Sequence, residues 1–348
     1  MKELIHNQGR DNAIDLLKFV AIFLVILGHS LSRLGLGMES LNHPIGKLIV
    51  MVNMPLFIFI TGYFGKSLYK RKLKELFLSK YRTLLRPTVL YGLLTIIICD
   101  IIILSKPLGI KEGVNVLFDR VVYGYWFIWV VLYCSFYSWA FVKMGEKFHL
   151  KQSIALICSL LLLFLIPDTP FIPCLASFKA MYPFFLVGLM FRERGWLEIV
   201  YVHKRIVLPI ALLIILVGWC FYKGTWSFYY FPSTPFPNVV YYYMLMLVFG
   251  SAGIGCLYII CKEVWKRYCS NSFVLRLAEL GQYTLAIYMI QGVFVEVADG
   301  YQEQLAISNQ LLLTLISIIA SIVLIVIISF FILWIRRNKK LSLYCLGK

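Results

Sequence analysis

Charge is what this sequence of 348 residues has least of: Asp, Glu, Lys and Arg make up only 15%, and just 17 residues are acidic. Soluble globular chains carry nearer a quarter charged residues, so a soluble fold is excluded. No small-residue cleavage site follows the first apolar run, and no Gly-, Ser- or Pro-rich linker, repeat or low-complexity tract interrupts the chain. These absences exclude a cleaved signal peptide and a string of separate modules. The nine cysteines form no CxxC pair and lie mostly within apolar runs or at their ends. That pattern argues against a disulfide framework and a cysteine-built metal site, and no metal is expected.

What the chain has instead is apolar length. Hydrophobic residues make up 61% of it, and the mean hydropathy is +0.82. A helix needs about 17 to 25 apolar residues to cross a hydrocarbon core. Runs of this kind fall at roughly 14–34, 45–65, 87–105, 120–142, 153–167, 175–191, 206–222, 238–261, 280–298 and 309–335. The pattern predicts an all-α integral membrane protein of about ten transmembrane helices, forming a single domain over residues 1–348. The fifth and sixth runs are the shortest, and "PDTPFIPC" (167–174) between them also fits a re-entrant turn. After the tenth run 13 residues remain, so no appended soluble domain is expected.

The charges are unevenly placed. With the N-terminus in the cytoplasm, the segments on that side hold 26 Lys and Arg, and the opposite side holds seven, counting those at the outer ends of the runs. Such a bias follows the positive-inside rule and puts both termini in the cytoplasm. Nearly all of the +17 net charge is then cytoplasmic. It suits anionic lipid, and equally a polyanionic cytosolic ligand such as a nucleotide or coenzyme A. Basic residues confined to short loops against a bilayer do not suit nucleic acid.

The first apolar run, "DLLKFVAIFLVILGHS" (15–30), carries three polar groups into the membrane. Lys18 and His29 are eleven residues apart, which at 100° per residue leaves them about 20° from the same direction and about 16.5 Å apart along the axis. Asp15 falls near the same stripe, three residues before Lys18, where it can pair with it. A charge near a helix centre costs roughly 2.5 to 3.5 kcal/mol, so the stripe is expected to face a cavity or a partner. Ser30 and Ser32 beside His29 read as hydroxyls satisfied by the helix.

These residues carry a resemblance. The Lys18, ten residues, His29 pattern resembles the first-helix signature of the membrane acyltransferase 3 family, in its fucose acetylase-like and polysaccharide O-acetyltransferase branch. "MPLFIFITGYF" (54–64) is similar to the family's second-helix motif, "KYRTLLRP" (80–87) to its basic segment, and "YWFIWVVLYC" (125–134) to its WF-L stretch. "MYPFFLVGLMF" (181–191) and "GQYTLAIYMIQ" (281–291) are similar to its late motifs. The chain departs from the pattern at Asn53 and Gln291, where histidine is common. Neither residue exchanges protons at neutral pH, although both can hydrogen-bond.

The resemblance implies transfer of an acyl group, usually acetyl, from cytosolic acetyl-CoA to a sugar hydroxyl of a surface polysaccharide or a lipid-linked glycan, in a bacterial plasma membrane. His29 is expected to act as general base or as nucleophile, with Lys18 and Asp15 supporting it. Lys80, Arg82 and Arg86 are expected to hold the coenzyme A phosphates. Asn53, Tyr125 and Trp126 are candidates for the acceptor site, together with the aromatic stretch 222–238 and the acidic Glu296, Asp299 and Glu303. Membrane lipids are expected partners, and polysaccharide-synthesis proteins belong to a scaffold reading. A transporter or flippase of a glycan precursor is the alternative from a different class.

Overall fold

The structure is a computed structural model that describes residues 11–103, 109–169, 171–227, 238–300 and 309–347. Helices dominate it, and no strand occurs among the described residues. In chain order they are α1 (Asn12–Leu31), α2 (Pro44–Tyr63), α3 (Leu73–Ile102), α4 (Ile110–Asp119), α5 (Trp126–Lys147), α6 (Gln152–Leu165) and α7 (Leu175–Arg194). Then follow α8 (Trp196–Val202), α9 (Lys204–Phe221), α10 (Asn238–Tyr268), α11 (Ser272–Gly281), α12 (Thr284–Gly300) and α13 (Gln310–Arg336).

Eight of these helices are long and apolar enough to cross a membrane, and α6 and α12 are shorter apolar helices in the fifth and ninth expected places. Together with the composition they make the chain an all-α integral membrane protein. Two boundaries differ from the expectation. The third helix begins at Leu73 instead of residue 87, so most of the basic 66–86 stretch is helical. Its lysines and arginines lower the local hydropathy without breaking the helix, because both are good helix formers. The expected fourth run starts in a π-helical turn, Arg120–Gly124, that continues α4, and α5 begins only after a kink at Tyr125. Finally, the turn at 167–174 sits between α6 and α7, tied down by Lys179, which pairs with Asp168 at 2.8 Å.

Local sequence sets the helix starts. The Asp11 carboxylate accepts from Ala13 N at 3.0 Å and caps α1, and Asn309 does the same for α13 through Leu312 N. At α2, Pro44 occupies the first turn, where its missing N–H costs nothing. His43 precedes it, and its Nδ1 accepts from Ile45 N at 3.3 Å. Burial lowers the His43 pKa, so the ring is neutral, and with Nδ1 accepting its Nε2–H donates to Thr314 Oγ1 at 3.2 Å.

Packing uses small residues at close backbone crossings, as expected where lipid supplies no hydrophobic drive between helices. A Cβ on Gly62 of α2 would stand 2.0 Å from the Phe185 carbonyl oxygen, and one on Gly188 of α7 would stand 2.1 Å from that of Phe59. At the start of α1, a Cβ on Gly281 would stand 1.8 Å from the Asp15 carbonyl oxygen. Tertiary contacts gather the helix ends into two groups. At one end Lys18 lies over the Phe64 ring, Gln152 meets Glu193, Tyr201 meets Glu263 and Arg336 meets Glu279. At the other, Gly224 meets Asn42, Trp219 meets Pro44 and Arg120 meets Glu296. The segments rich in Lys and Arg all belong to the first group, here termed the basic end.

Candidate active site

α1 carries the polar stripe through the middle of the bundle. Near the basic end Lys18 Nζ pairs with Asp15 Oδ1 at 2.9 Å and lies 4.5 Å from the centre of the Phe64 ring. Asp15 is buried and Lys18 is only partly exposed. About two and three turns further along the stripe come Val25 and then His29. Ser30 is turned toward α13, where the Ser321 hydroxyl donates to it at 3.1 Å. That contact makes Ser30 a helix-packing hydroxyl.

His29 stands where two cavities meet. The larger, about 470 Å³, opens toward the end opposite the basic one and includes Asn53, Arg33, Trp126, Asp119, Arg120 and Glu296 in its wall. The smaller, about 40 Å³, is a side pocket that shares His29, Arg120, Trp126 and Glu296 with the first and adds Thr95, Tyr125 and Gln291. Among the described residues no group is hydrogen-bonded to the His29 ring. A third cavity of about 230 Å³ lies toward the basic end, and Lys80, Thr61 and Thr284 supply its polar groups. It shares Val25 and Met54 with the large chamber and Tyr288 with the side pocket. A thin layer of Val25, Met54 and Tyr288 thus separates a chamber on the side of the basic end from the cavities that meet at His29.

Pro55 lies inside α2 next to this layer. A proline here removes one helical hydrogen bond and loosens the turn before it. Asn53 occupies that turn, is buried, and accepts from Met54 N at 2.7 Å through its side-chain oxygen.

Charged residues distant in sequence form one wall. Arg120 bonds Glu296 of α12 and lies 3.7 Å from Asp100 of α3. Two carboxylates around one guanidinium leave this half-buried wall with a net formal negative charge. Sequence reasoning left out Arg33, Asp100, Asp119 and Arg120, and offered Glu296 only as an acceptor-site candidate. An available signal was Asp100, an acid in the middle of "IIICDIII", where a carboxylate is expensive unless partnered.

Of the residues expected in the site, the structure brings His29, Asn53, Tyr125 and Trp126 to the same cavities. Tyr125 is a wall: its ring fills the space beside Gly292, and its hydroxyl donates to Met289 O at 3.0 Å. The three basic residues of 80–86 are not brought together. Lys80 is half-buried in the inner cavity, whereas Arg82 is exposed outside it. Arg86 bonds the Leu343 carbonyl and stacks 4.6 Å from the Tyr344 ring, tying α3 to the C-terminal segment. Two residues of helix turn the side chain by about 200°, so neighbours in sequence diverge in space. Lys18 is on the stripe with Val25 and His29 but is not part of the inner cavity wall. Of the other acceptor candidates, most of 222–238 lies outside the described residues, as do Glu303 and the side chain of Asp299.

Among the described residues, a histidine with no hydrogen bond to its ring, set in a bundle of membrane-length helices where two cavities meet, is the candidate active site of a membrane protein. The comparisons with known proteins specify it further. The acyltransferase domain family matches residues 11–334, and the chain belongs to this acyltransferase 3 family. It is also similar to Nodulation protein NolL of Sinorhizobium fredii, 26% identical over 304 residues that cover 84% of this chain and 80% of that one. The Nodulation protein NolL of Mesorhizobium japonicum is 27% identical, covering 84% of this chain and 79% of its own. No solved structure matches. The protein is a membrane acyltransferase.

Proposed function

We propose that this acyltransferase moves an acetyl group from cytosolic acetyl-CoA to a sugar hydroxyl of a cell-surface glycan or its lipid-linked precursor, in a bacterial plasma membrane. The observation that carries the reading is the position of His29 between a chamber facing the basic end and one facing the other. Lysine and arginine gathered at one end favour the cytosol for that end, where coenzyme A is available. Lys80 supplies a cation in the inner chamber for the anionic donor, and Thr61 and Thr284 suit the amide-rich arm that follows. The outer chamber offers carboxylates, Asn53 and the Trp126 face, groups that suit a sugar's hydroxyls and ring.

In this reading His29 takes the proton of the acceptor hydroxyl as that oxygen attacks the thioester carbonyl, then returns it to the departing sulfur. Direct transfer needs no covalent enzyme intermediate. Removing such a group typically costs about 10²- to 10⁴-fold in rate. The test is His29→Ala in membranes supplied with acetyl-CoA, scoring acetyl ester on surface glycan by mass spectrometry. Loss of acetylation with normal protein level is the expected result. Normal acetylation by a folded His29→Ala protein would overturn the proposal, and glycan-precursor movement independent of acetyl-CoA would favour a transporter.

A further inference from the structure

The side pocket beside His29 has a use of its own. It holds about 40 Å³ and is bounded by Thr95, Arg120, Tyr125, Tyr288, Gln291 and Gly292. A volume of about 10 to 15 Å³ on this measure admits one water-sized group, so the pocket admits about three heavy atoms. An acetyl group has three: a methyl carbon, a carbonyl carbon and an oxygen. Two buried polar atoms of residues that line it, Gln291 Oε1 and Arg120 Nε, have no hydrogen-bond partner among the described residues. Gln291 is 1% exposed. Native proteins leave few buried polar groups unpaired, because each costs free energy, and an unpaired pair beside a reactive histidine points to a ligand. The Gln291 carboxamide can turn about its terminal bond to present either its oxygen or its NH₂.

The pocket also has a fixed floor. A Cβ on Gly292 would stand 2.8 Å from the Tyr125 ring, and the Tyr125 hydroxyl is already bonded to Met289 O. Neither side can withdraw to admit a longer chain. The pocket adjoins the inner cavity at Tyr288 and the outer chamber at His29 and Trp126. A thioester arriving from one side and a hydroxyl from the other would meet at its mouth.

We propose that this side pocket receives the acyl group, that it restricts the donor to a two-carbon acyl chain, and that Arg120 and Gln291 bind the carbonyl oxygen during transfer. The inference rests on the acyl-CoA reading above and adds the acyl specificity and two catalytic residues. In the step itself the acceptor oxygen bonds to the acyl carbon while its proton passes to His29. The carbonyl electrons move onto oxygen, where Arg120 Nε–H and the Gln291 NH₂ donate to it. When the carbonyl re-forms, the carbon–sulfur bond breaks with its electron pair on sulfur, and sulfur takes the proton back from His29. The products are an ester and a free thiol, with no oxidant or reductant required.

The test compares acetyl-, propionyl- and butyryl-CoA as donors for the purified protein in detergent with a glycan acceptor. One methylene too many is expected to cost about 10-fold or more in kcat/KM, and butyryl should be poorer again. Thr95→Ala enlarges the pocket and should raise propionyl use relative to acetyl. Gln291→Leu should lower kcat for acetyl by about 10²-fold or more while leaving the KM for acetyl-CoA near that of the wild type. As a readout independent of turnover, calorimetric titration with 2-oxopropyl-CoA and 2-oxopentyl-CoA should show tighter binding of the shorter ketone, and Thr95→Ala should narrow the difference. Equal use of all three donors by the wild type, with both variants unaffected, would overturn the acyl pocket and leave the donor reading standing. Absence of transfer from any acyl-CoA by folded wild type would overturn the donor reading and the pocket's role with it.

Discussion

Lys18 and Asp15 face each other at 2.9 Å on the first turns of α1, with the carboxylate almost wholly buried and the amine partly open. The pair marks where the polar stripe begins, eleven residues before His29. Removing one member of a buried pair is worse than removing both, because a charge is left in low dielectric. Lys18→Gln should therefore lower stability by about 1 to 3 kcal/mol, a figure reduced from fully buried pairs because Lys18 retains solvent access. Lys18→Arg should be mild. Thermal unfolding in detergent tests this, and an unchanged midpoint for Lys18→Gln would show that the pair contributes nothing.

The proposed donor site separates three neighbouring cations. Lys80 lines the inner cavity, Arg82 is outside it and Arg86 clasps the C-terminal segment. Lys80→Gln should weaken acetyl-CoA binding about tenfold or more, the worth of one charge-assisted hydrogen bond. Arg82→Gln should change little. Arg86→Gln should act through the C-terminal segment, so its effect should appear in proteolysis of that segment and not in donor affinity. Equal losses of affinity in all three variants would restore a shared phosphate site at 80–86.

Two glycines allow a direct contrast. Gly62 has the Phe185 backbone against it, whereas a Cβ on Gly255 would meet nothing within 4 Å. Gly62→Ala must push two helices apart and should cost about 1 to 3 kcal/mol or more. Gly255→Ala should be neutral or stabilising by a few tenths to 1 kcal/mol, since alanine is the better helix former. Comparable midpoints for the two variants would contradict the close crossing of α2 and α7.

His43 predicts an acid sensitivity. Burial lowers its pKa, so the folded protein favours the neutral ring that accepts from Ile45 N and donates to Thr314. The unfolded chain binds the proton more readily below its own pKa of about 6.5. The His43 contribution is therefore complete above that pH and declines as pH falls from about 6.5 toward the lower folded value. The unfolding midpoint should drop between pH 7.5 and 5.5 by more in the wild type than in His43→Gln. Identical slopes would remove His43 from the pH response.

The amount legible in sequence followed from how local each feature is. The stripe through Asp15, Lys18 and His29 depends only on the period of one helix, and the structure carries it into the bundle as drawn. Asn53, Tyr125 and Trp126 sit on short motifs next to helix kinks, and they arrive at the two cavities that meet at His29. The wall of Asp100, Arg120 and Glu296 could not be read in this way, because Arg120 and Glu296 are 176 positions apart. Only packing brings them together. The stretch 80–86 misled for the opposite reason: closeness in sequence suggested one cluster, and helix rotation dispersed it. The extent of α3 was obscured by its own charges, since hydropathy finds apolar helix and overlooks basic helix.

The glycine crossings divide the bundle mechanically. With Gly62 against Phe185 and Gly281 against Asp15, backbone touches backbone and no side chain remains to act as a compliant spacer. α2 with α7, and α1 with α11, then behave as stiff paired struts that keep His29 and Asn53 at fixed positions. The partition formed by Val25, Met54 and Tyr288 can widen only from the other side, by displacement of α12 or a rotamer change at Tyr288. Traffic between the two chambers would be governed by the α12 wall, with the histidine held still.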